Sequence, residues 1–393
     1  MENPQRQLPA IHVAGTNGKG SVCSLLSAAL TSQGLRPGLY TSPHLVSVRE
    51  RLRIGGEAIS EAKFAEIAAG IRADAARLFP AVGPTPTFFE FLTAMAWRWF
   101  AQESAKFAIL EVGMGGRLDS TNVCEPAITV ITSIGLDHIG ALGNTLAEIA
   151  AEKAGILKPG VPLVCGVRNP EAREVIMARA SELRVPVWQL GEDFAVLATE
   201  PTDAGQQVQL RLPTGQCTAE IALRGSHQAD NTAVAAATLA RLARPTTGLE
   251  RARWPGRLEQ LSNTVLLDGA HNMAAMHELV AALPANERYV ALFATMIDKE
   301  WQEMLALLAP HLCELRITRA ENPRSVDPQV VALHVREKHP ALQVVTEPDA
   351  YAAAELIAQE QRPALIVGSL YLAGDVYSVF RGNAPPPIYC ESG

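Results

Sequence analysis

Three glycines, a lysine and a serine stand together in "HVAGTNGKGS", residues 12–21. Gly15, Gly18 and Gly20 let backbone N–H groups turn toward an anion, because no Cβ bars the conformations needed. Lys19 adds a mobile positive charge, and the Ser21 hydroxyl can reach a divalent cation. The common nucleotide loop runs G-x-x-x-x-G-K-[ST]. Here the spacing before Gly18 is shorter, and Gly20 is inserted between the lysine and the serine. Such a pattern suits phosphate binding; the plainer alternative is a tight turn with a solvated lysine.

Three further groups could share that chemistry. Glu111 closes the apolar run "KFAILE" just before "VGMGGRLDSTN", a placement that lets a carboxylate hold a hard cation through oxygen. His138, in "SIGLDHIGALG", follows the next apolar run, and Lys153 lies in the helical stretch "EIAAEKAGILKPG". Taken singly, each also fits a bland role: an exposed strand-end glutamate, a hydrogen-bonded loop histidine, a solvated lysine.

The elements that must carry these groups follow from periodicity. From residue 9 to 200, β-type runs ("PAIHVA", "LRPGLYT", "KFAILEV", "AITVITSI") alternate with helical stretches at 21–33, 61–78, 88–103 and 144–155. That rhythm predicts a mostly parallel sheet covered by helices on both faces. Ligands of such sheets sit beyond the C-terminal strand ends, where the glycine loop, Glu111 and His138 fall. Residues 191–223 instead read as short alternating strands, a small antiparallel appendage. A helix at 227–242 and a Pro/Gly-punctuated linker follow. The α/β rhythm then restarts at "TVLLDGA" and runs through helices at 273–283, 299–309, 326–338, 348–361 and 370–380, a second domain. The tail "GNAPPPIYCESG" is expected to fray.

Bulk properties narrow the partners. Lys plus Arg total 34 against 41 Asp plus Glu, a net charge of −7 with no basic block, so a nucleic-acid partner is not expected. No apolar run approaches the ~20 residues of a membrane span, and the polar N-terminus lacks a signal-peptide core. A soluble, cytoplasmic protein is expected. Six cysteines lie far apart with no C-x-x-C pair, which argues against thiolate metal sites and disulfides. Small buried hydrophobes is their expected role.

Read in order, the motifs resemble the folylpolyglutamate synthase/dihydrofolate synthase family, a branch of the Mur ligases. They are "HVAGTNGKGS", "TSPHL…ERLRI", "TFFEFLTAMA", "LEVGMGGRLDSTN", "TSIGLDHIGALGNTLAEIAAEKAGILKPG", "RGSHQADN", "WPGRLE", "LDGAHN" and "DKEW", spanning residues 9 to about 380. The resemblance implies an N-terminal P-loop ATP-binding α/β domain (1–255) with the small antiparallel appendage, a linker (256–263) and a C-terminal Rossmann-like α/β domain (264–393). It implies an ATP-dependent ligase that activates a substrate carboxylate as an acyl phosphate and adds L-glutamate to a folate, and also to dihydropteroate in the bifunctional form. On this likeness Gly18, Lys19, Gly20 and Ser21 cradle the phosphates of ATP, and Asn231, Arg257 and Asp268 contact the nucleotide. Ser42, Glu111, His138 and Lys153 match the Mg²⁺ ligands, Lys153 as a carbamylated lysine. Lys19, Lys153 and His271 carry the catalysis, His271 lying near the phosphates and the incoming amino acid. Thr87, Phe88, Phe89 and Asp119 match the folate pocket; for Phe89, core packing is an equal alternative.

Two features depart from the family pattern. Only a short segment precedes "IHVAG" where many relatives carry further helices; this would loosen the acceptor side, or the start codon is misassigned. "DGAHNMAAM" lacks the proline common after "HN", which would change loop stiffness rather than chemistry. Two other readings stay open: a Mur-type ligase for a non-folate carboxylate such as a cell-wall precursor, and a catalytically inactive nucleotide-binding scaffold. The scaffold predicts loss of Lys19, Glu111, His138 or Lys153, and all four are present. A monomer is the default expectation.

Overall fold

The computed structural model describes residues 3–78, 85–137 and 139–388. The N-terminal part is built on eight strands: β1 (Ala10–Ala14), β2 (Gly38–Tyr40), β3 (Leu52–Ile54), β4 (Glu57–Ala58), β5 (Ala108–Glu111), β6 (Pro126–Ile131), β7 (Leu163–Cys165) and β8 (Val187–Gln189). Their order in the sheet is β4-β3-β2-β5-β1-β6-β7-β8. All five residues of β1 are buried, as a central strand covered on both faces requires. Both neighbours of β1 run parallel to it, with Val13 opposite Glu111 on one side and Val130 on the other. This register sets the loops after β1, β5 and β6 side by side.

The helices of this part are α1 (Lys19–Ser32), α2 (Glu61–Leu78), α3 (Phe88–Gln102), α4 (Ile139–Leu142), α5 (Leu146–Ala154), α6 (Pro170–Glu182) and α7 (Ser226–Arg241). The predicted appendage is present as β9 (Ala195–Thr202), β10 (Gly205–Leu212) and β11 (Gly215–Ile221), all antiparallel. Val208, Leu210 and Leu212 alternate along β10 and are buried in the same core as α1 and α7. The hairpin β3–β4 has no counterpart among the expected strands. Gly55 and Gly56, with φ of 59° and 92°, form its two-residue turn, which needs positive φ at both positions.

The C-terminal sheet contains β12 (Glu259–Gln260), β13 (Val265–Leu267), β14 (Tyr289–Phe293), β15 (Leu312–Ile317), β16 (Gln343–Thr346) and β17 (Ala364–Val367), ordered β12-β13-β17-β14-β15-β16. Its helices are α8 (Met273–Ala282), α9 (Trp301–Leu308), α10 (Pro328–Lys338), α11 (Ala350–Ala358) and α12 (Leu370–Arg381). Alternation along β14 divides the core. Tyr289, Ala291 and Phe293 join one apolar cluster, while Val290 and Leu292 join the other.

The expected fraying of the tail does not hold for residues up to 388. Three consecutive prolines cannot extend α12, so the chain leaves it extended and crosses to the N-terminal part. There Ile388, 2% exposed, enters the apolar core. The Arg53 guanidinium donates to the Pro386 carbonyl at 2.6 Å, and the Arg253 N–H to the Ile388 carbonyl at 2.9 Å. Cys23, Cys124 and Cys165 are buried, whereas Cys217 is half-buried and Cys313 exposed. Among the described residues no helix is long and apolar enough to cross a membrane.

Candidate active site

The glycine loop joins β1 to α1, and the helix starts at Lys19, two residues before the expected Ser21. No side chain caps its N-terminus and its first turn holds no acidic residue. Its positive end therefore stays available to an external anion. Lys19 arches back over the loop, donating to the carbonyls of Gly15 at 3.0 Å and Thr16 at 2.9 Å. From the neighbouring strand end, the Thr132 and Ser133 hydroxyls donate to the Asn17 carbonyl at 2.6 and 2.9 Å. Two glycines leave room for partners. A Cβ on Gly18 would run into the carboxamide of Asn231, and one on Gly20 would come within 2.5 Å of the Trp254 ring. Trp254 escaped sequence reasoning; the inserted Gly20 was the available signal, since a ring packed on a helix start tolerates no side chain beneath it.

Glu111 is buried at the end of β5, and its Oε2 accepts the Ser42 N–H at 2.9 Å. Burial pushes its carboxyl pKa up, opposed by the charge of Lys19, the Ser42 amide, and Arg257 and Arg51. Lys153, on α5, is 5% exposed. Burial, reinforced by repulsion from Lys19, lowers its pKa to about 7, with Asp137 and Asp119 pulling the other way. His138 lies outside the described residues. Among those described, no three His, Cys, Asp or Glu side chains group as a metal site.

The second domain meets this surface through the loop after β13. Asp268 is buried, and its two oxygens accept the N–H groups of Leu258 and Ala270, each at 2.8 Å. Its carboxylate thus fastens the linker to the strand end, with Arg257 as the nearby countercharge. His271 shares a 2.8 Å hydrogen bond between Nδ1 and the Gly269 carbonyl. The carbonyl can only accept, so Nδ1 carries the proton and Nε2 keeps a lone pair. Burial lowers the His271 pKa to about 4. Asn272 caps α8 by accepting the Ala275 N–H at 2.8 Å, placing Met273 at the first helical position, where proline is favoured. This cap holds the helix start without the family's proline. The Asn272 amide also reaches Asn17 at 3.4 Å and Asp137 at 3.3 Å. Lys299 of "DKEW" pairs with Asp137 at 3.1 Å, a second bond between the domains.

On the opposite side, Thr87 and Glu90 form a capping box at the start of α3, which occupies the Thr87 hydroxyl. Phe88 is 60% exposed, with the Arg51 guanidinium 5.4 Å from its ring centre. Phe89 turns inward, 5.5 Å from the Tyr40 ring and packed on Gly113, where an added Cβ would lie 2.6 Å from it. Phe88 thus offers a free aromatic face, and Phe89 builds the wall. Asp119 accepts the N–H groups of Gly113 and Met114 at 2.9 and 3.0 Å, shaping the loop after β5.

One cleft of about 1230 Å³ connects all of this. Every described residue singled out from sequence lines it except Gly15 and the buried Lys153, whose neighbour Glu152 does line it. An anion-binding loop, a buried carboxylate and an aromatic face lie along one cavity, with groups of the second domain facing them. That arrangement suits transfer of a phosphoryl group to one substrate and attack by another.

Residues 87–239 match the Mur ligase middle domain family, and residues 256–370 match the family described as Mur ligase, glutamate ligase domain. The chain is 36% identical over 343 residues to a dihydrofolate synthase/folylpolyglutamate synthase of Bacillus subtilis, covering 83% of this chain and 80% of the relative. It is 33% identical over 401 residues to the folylpolyglutamate synthase of Lacticaseibacillus casei, covering 98% and 92%. The structure superposes on Mycobacterium tuberculosis folylpolyglutamate synthase complexed with ADP and AMPPCP with a TM-score of 0.89, at 33% identity and 96% and 92% coverage.

Proposed function

This chain belongs to the dihydrofolate synthase/folylpolyglutamate synthase family, and from that premise we propose how its cleft adds L-glutamate to a folate. The enzyme is an ATP-dependent ligase. The observation that carries the assignment of roles is the single cavity joining the glycine loop, Glu111 and the Phe88–Asp119 side with His271 of the second domain. Gly18, Lys19, Gly20 and Ser21 hold the ATP phosphates, with Asn231 behind the loop. The folate or dihydropteroate acceptor lies on the Phe88–Arg51 side, where an aromatic face and a guanidinium suit a flat heterocycle. Thr87, Phe89 and Asp119 shape that pocket. Transfer of the γ-phosphoryl group makes the acceptor carboxylate an acyl phosphate. The glutamate amine then attacks its carbonyl and phosphate departs. The Nε2 lone pair of His271 takes the proton that the amine loses. Arg257, beside the Leu258 amide that Asp268 fastens, brings positive charge from the linker to the nucleotide, so domain closure completes the site.

The buried Glu111 carboxylate suits Mg²⁺. Glu111 and Ser42, with Lys153 and His138, would hold it, and bound there it would neutralise phosphate charge. Glu111 supports this, since a buried carboxylate is favoured as an anion by a nearby cation. Lys153 fits only when modified, because an ammonium cannot ligate. Its neutral amine adds to CO₂ and releases one proton, giving an anionic carbamate.

The test is ADP release by purified protein with ATP, Mg²⁺ and L-glutamate. Turnover is expected only when a pteroate or folate acceptor is added. Turnover with a muramyl precursor and none with folate would make it a cell-wall-type ligase. ATP binding without turnover on any acceptor would make it a scaffold. Paired assays with dihydropteroate and tetrahydrofolate separate the bifunctional enzyme from one restricted to polyglutamylation.

A further inference from the structure

One residue of the central strand β1 breaks its apolar character. His12 is fully buried in "AIHVA", and its Nε2 lies 2.8 Å from the hydroxyl of Thr121, which is itself fully buried. Asp119 Oδ1 in turn takes two bonds from Thr121, from its hydroxyl at 2.5 Å and from its N–H at 2.9 Å. Asp119 Oδ2 holds the N–H groups of Gly113 and Met114.

Proton directions along this chain are determined. An ionised carboxylate only accepts, so the Thr121 hydroxyl spends its one proton on Asp119. Its oxygen must then accept from His12, which fixes His12 as the Nε2–H tautomer. His12 Nδ1 is left buried with no hydrogen-bond partner among the described residues. An orphaned buried nitrogen carries a cost that valine or isoleucine would not incur at this position. Burial, with the charge of Lys158 acting in the same sense, lowers the imidazole pKa to about 3. The ring is therefore neutral, and the relay keeps one direction at any working pH.

We propose that His12 is a positioning residue for acceptor recognition: acting through Thr121, it fixes the Asp119 carboxylate that shapes the Gly113–Gly116 loop. This rests on the placement of the acceptor on the Asp119 side. His12 touches no reacting atom. It holds the pocket wall from the strand that also carries the phosphate loop.

Four variants test the relay: His12→Leu and His12→Gln, with Thr121→Val and Thr121→Ser. Loss of one buried hydrogen bond should raise the acceptor KM about tenfold in His12→Leu and Thr121→Val. The KM for ATP should change less than about twofold, a smaller factor than one hydrogen bond gives. Gln returns a donor near the Nε2 position and Ser returns the hydroxyl, so both should recover most of the acceptor affinity. An unchanged acceptor KM in folded His12→Leu overturns the proposal, as does a parallel rise in both KM values. If the His12 variants do not fold, the Val and Ser pair at Thr121 decides the matter by the same criteria. Asp119→Asn, measured alongside, separates the two layers. If it raises the acceptor KM while the relay variants do not, the relay falls and the acceptor placement stands. If neither shifts it, both fall.

Discussion

At the residue scale, the inserted Gly20 and the titration of Lys153 make the sharpest predictions. A methyl group on Gly20 would stand 2.5 Å from the Trp254 ring, so either the phosphate loop or the linker must move. Overpacking of this kind costs ~1–3 kcal/mol. Gly20→Ala should raise the KM for ATP roughly tenfold, in keeping with that cost. In the double variant with Trp254→Ala part of the loss should return, because the two changes share one contact. Strict additivity of the two would place the damage elsewhere. For Lys153 the sign follows from its pKa of about 7, below the ordinary 10.5. Below pH 7 it is an ammonium and cannot take CO₂; above pH 7 the neutral amine can. A carbamate resonance from ¹³C-bicarbonate should therefore grow with pH through a midpoint near 7, together with activity. His271, with a pKa of about 4, stays neutral across that window and adds no acid limb there. Lys153→Ala should abolish turnover, with no rescue by bicarbonate. Near-normal rates in that variant would remove the carbamate role.

At the element scale, the loop between β2 and β3 depends on one carboxylate. Glu50 is buried and accepts three consecutive amides, from Leu45 at 2.8 Å, Val46 at 2.7 Å and Ser47 at 2.5 Å. The same loop carries Ser42, whose N–H holds Glu111. Glu50→Gln removes the charge and turns an NH₂ toward backbone donors, which should cost about 2–3 kcal/mol in urea unfolding. A loss below ~0.5 kcal/mol, under the usual net worth of one hydrogen bond, would show that the close approach of the Leu45 backbone to Gly374 of α12 holds the loop. The contrast with the strands explains what sequence could disclose. Alternation of buried runs and helical stretches is local, so the order of elements from β13 through α12 was legible, with helix ends missed by up to three residues. The positions of the glycine loop and Glu111 at strand ends were also legible, whereas His271 entered only through the family resemblance. Partnerships across long sequence distance were not. Nothing local in "WPGRLE" says that Trp254 covers Gly20, or that Asp268 spends one oxygen on the linker and the other on its own strand-end loop. Nor does "TFFEF" alone say which phenylalanine faces outward; that follows from Gly113 accepting the ring of Phe89. The Gly-Gly turn of β3–β4 was a readable signal, missed because its strands are only three and two residues long.

At the scale of the whole molecule, function depends on how two α/β domains hold their shared cleft. Lys299 with Asp137 and Asn272 with Asn17 tie the second domain to the surface beside the phosphate loop. The returning tail makes a third connection, on the side of the proposed acceptor pocket: Pro386 bonds Arg53 of β3, two residues from Arg51, and Ile388 fills a slot in the N-terminal core. A C-terminal residue should therefore stabilise the N-terminal domain. Ile388→Ala removes a fully enclosed side chain, and such truncations cost about 2–5 kcal/mol. The loss should appear as faster amide hydrogen exchange in β2, β3 and the segment around Arg253, with the C-terminal strands β14, β15 and β17 unchanged. Domain opening should become easier in the same variant, so the KM for acceptor should rise while ATP binding by the isolated loop contacts persists. Exchange confined to the last ten residues would mean that the tail rides on the surface and closes nothing. The expected pattern, protection lost some 330 residues away in sequence from the substitution, distinguishes a strap from an ornament, since a side chain can lower distant exchange only by packing there.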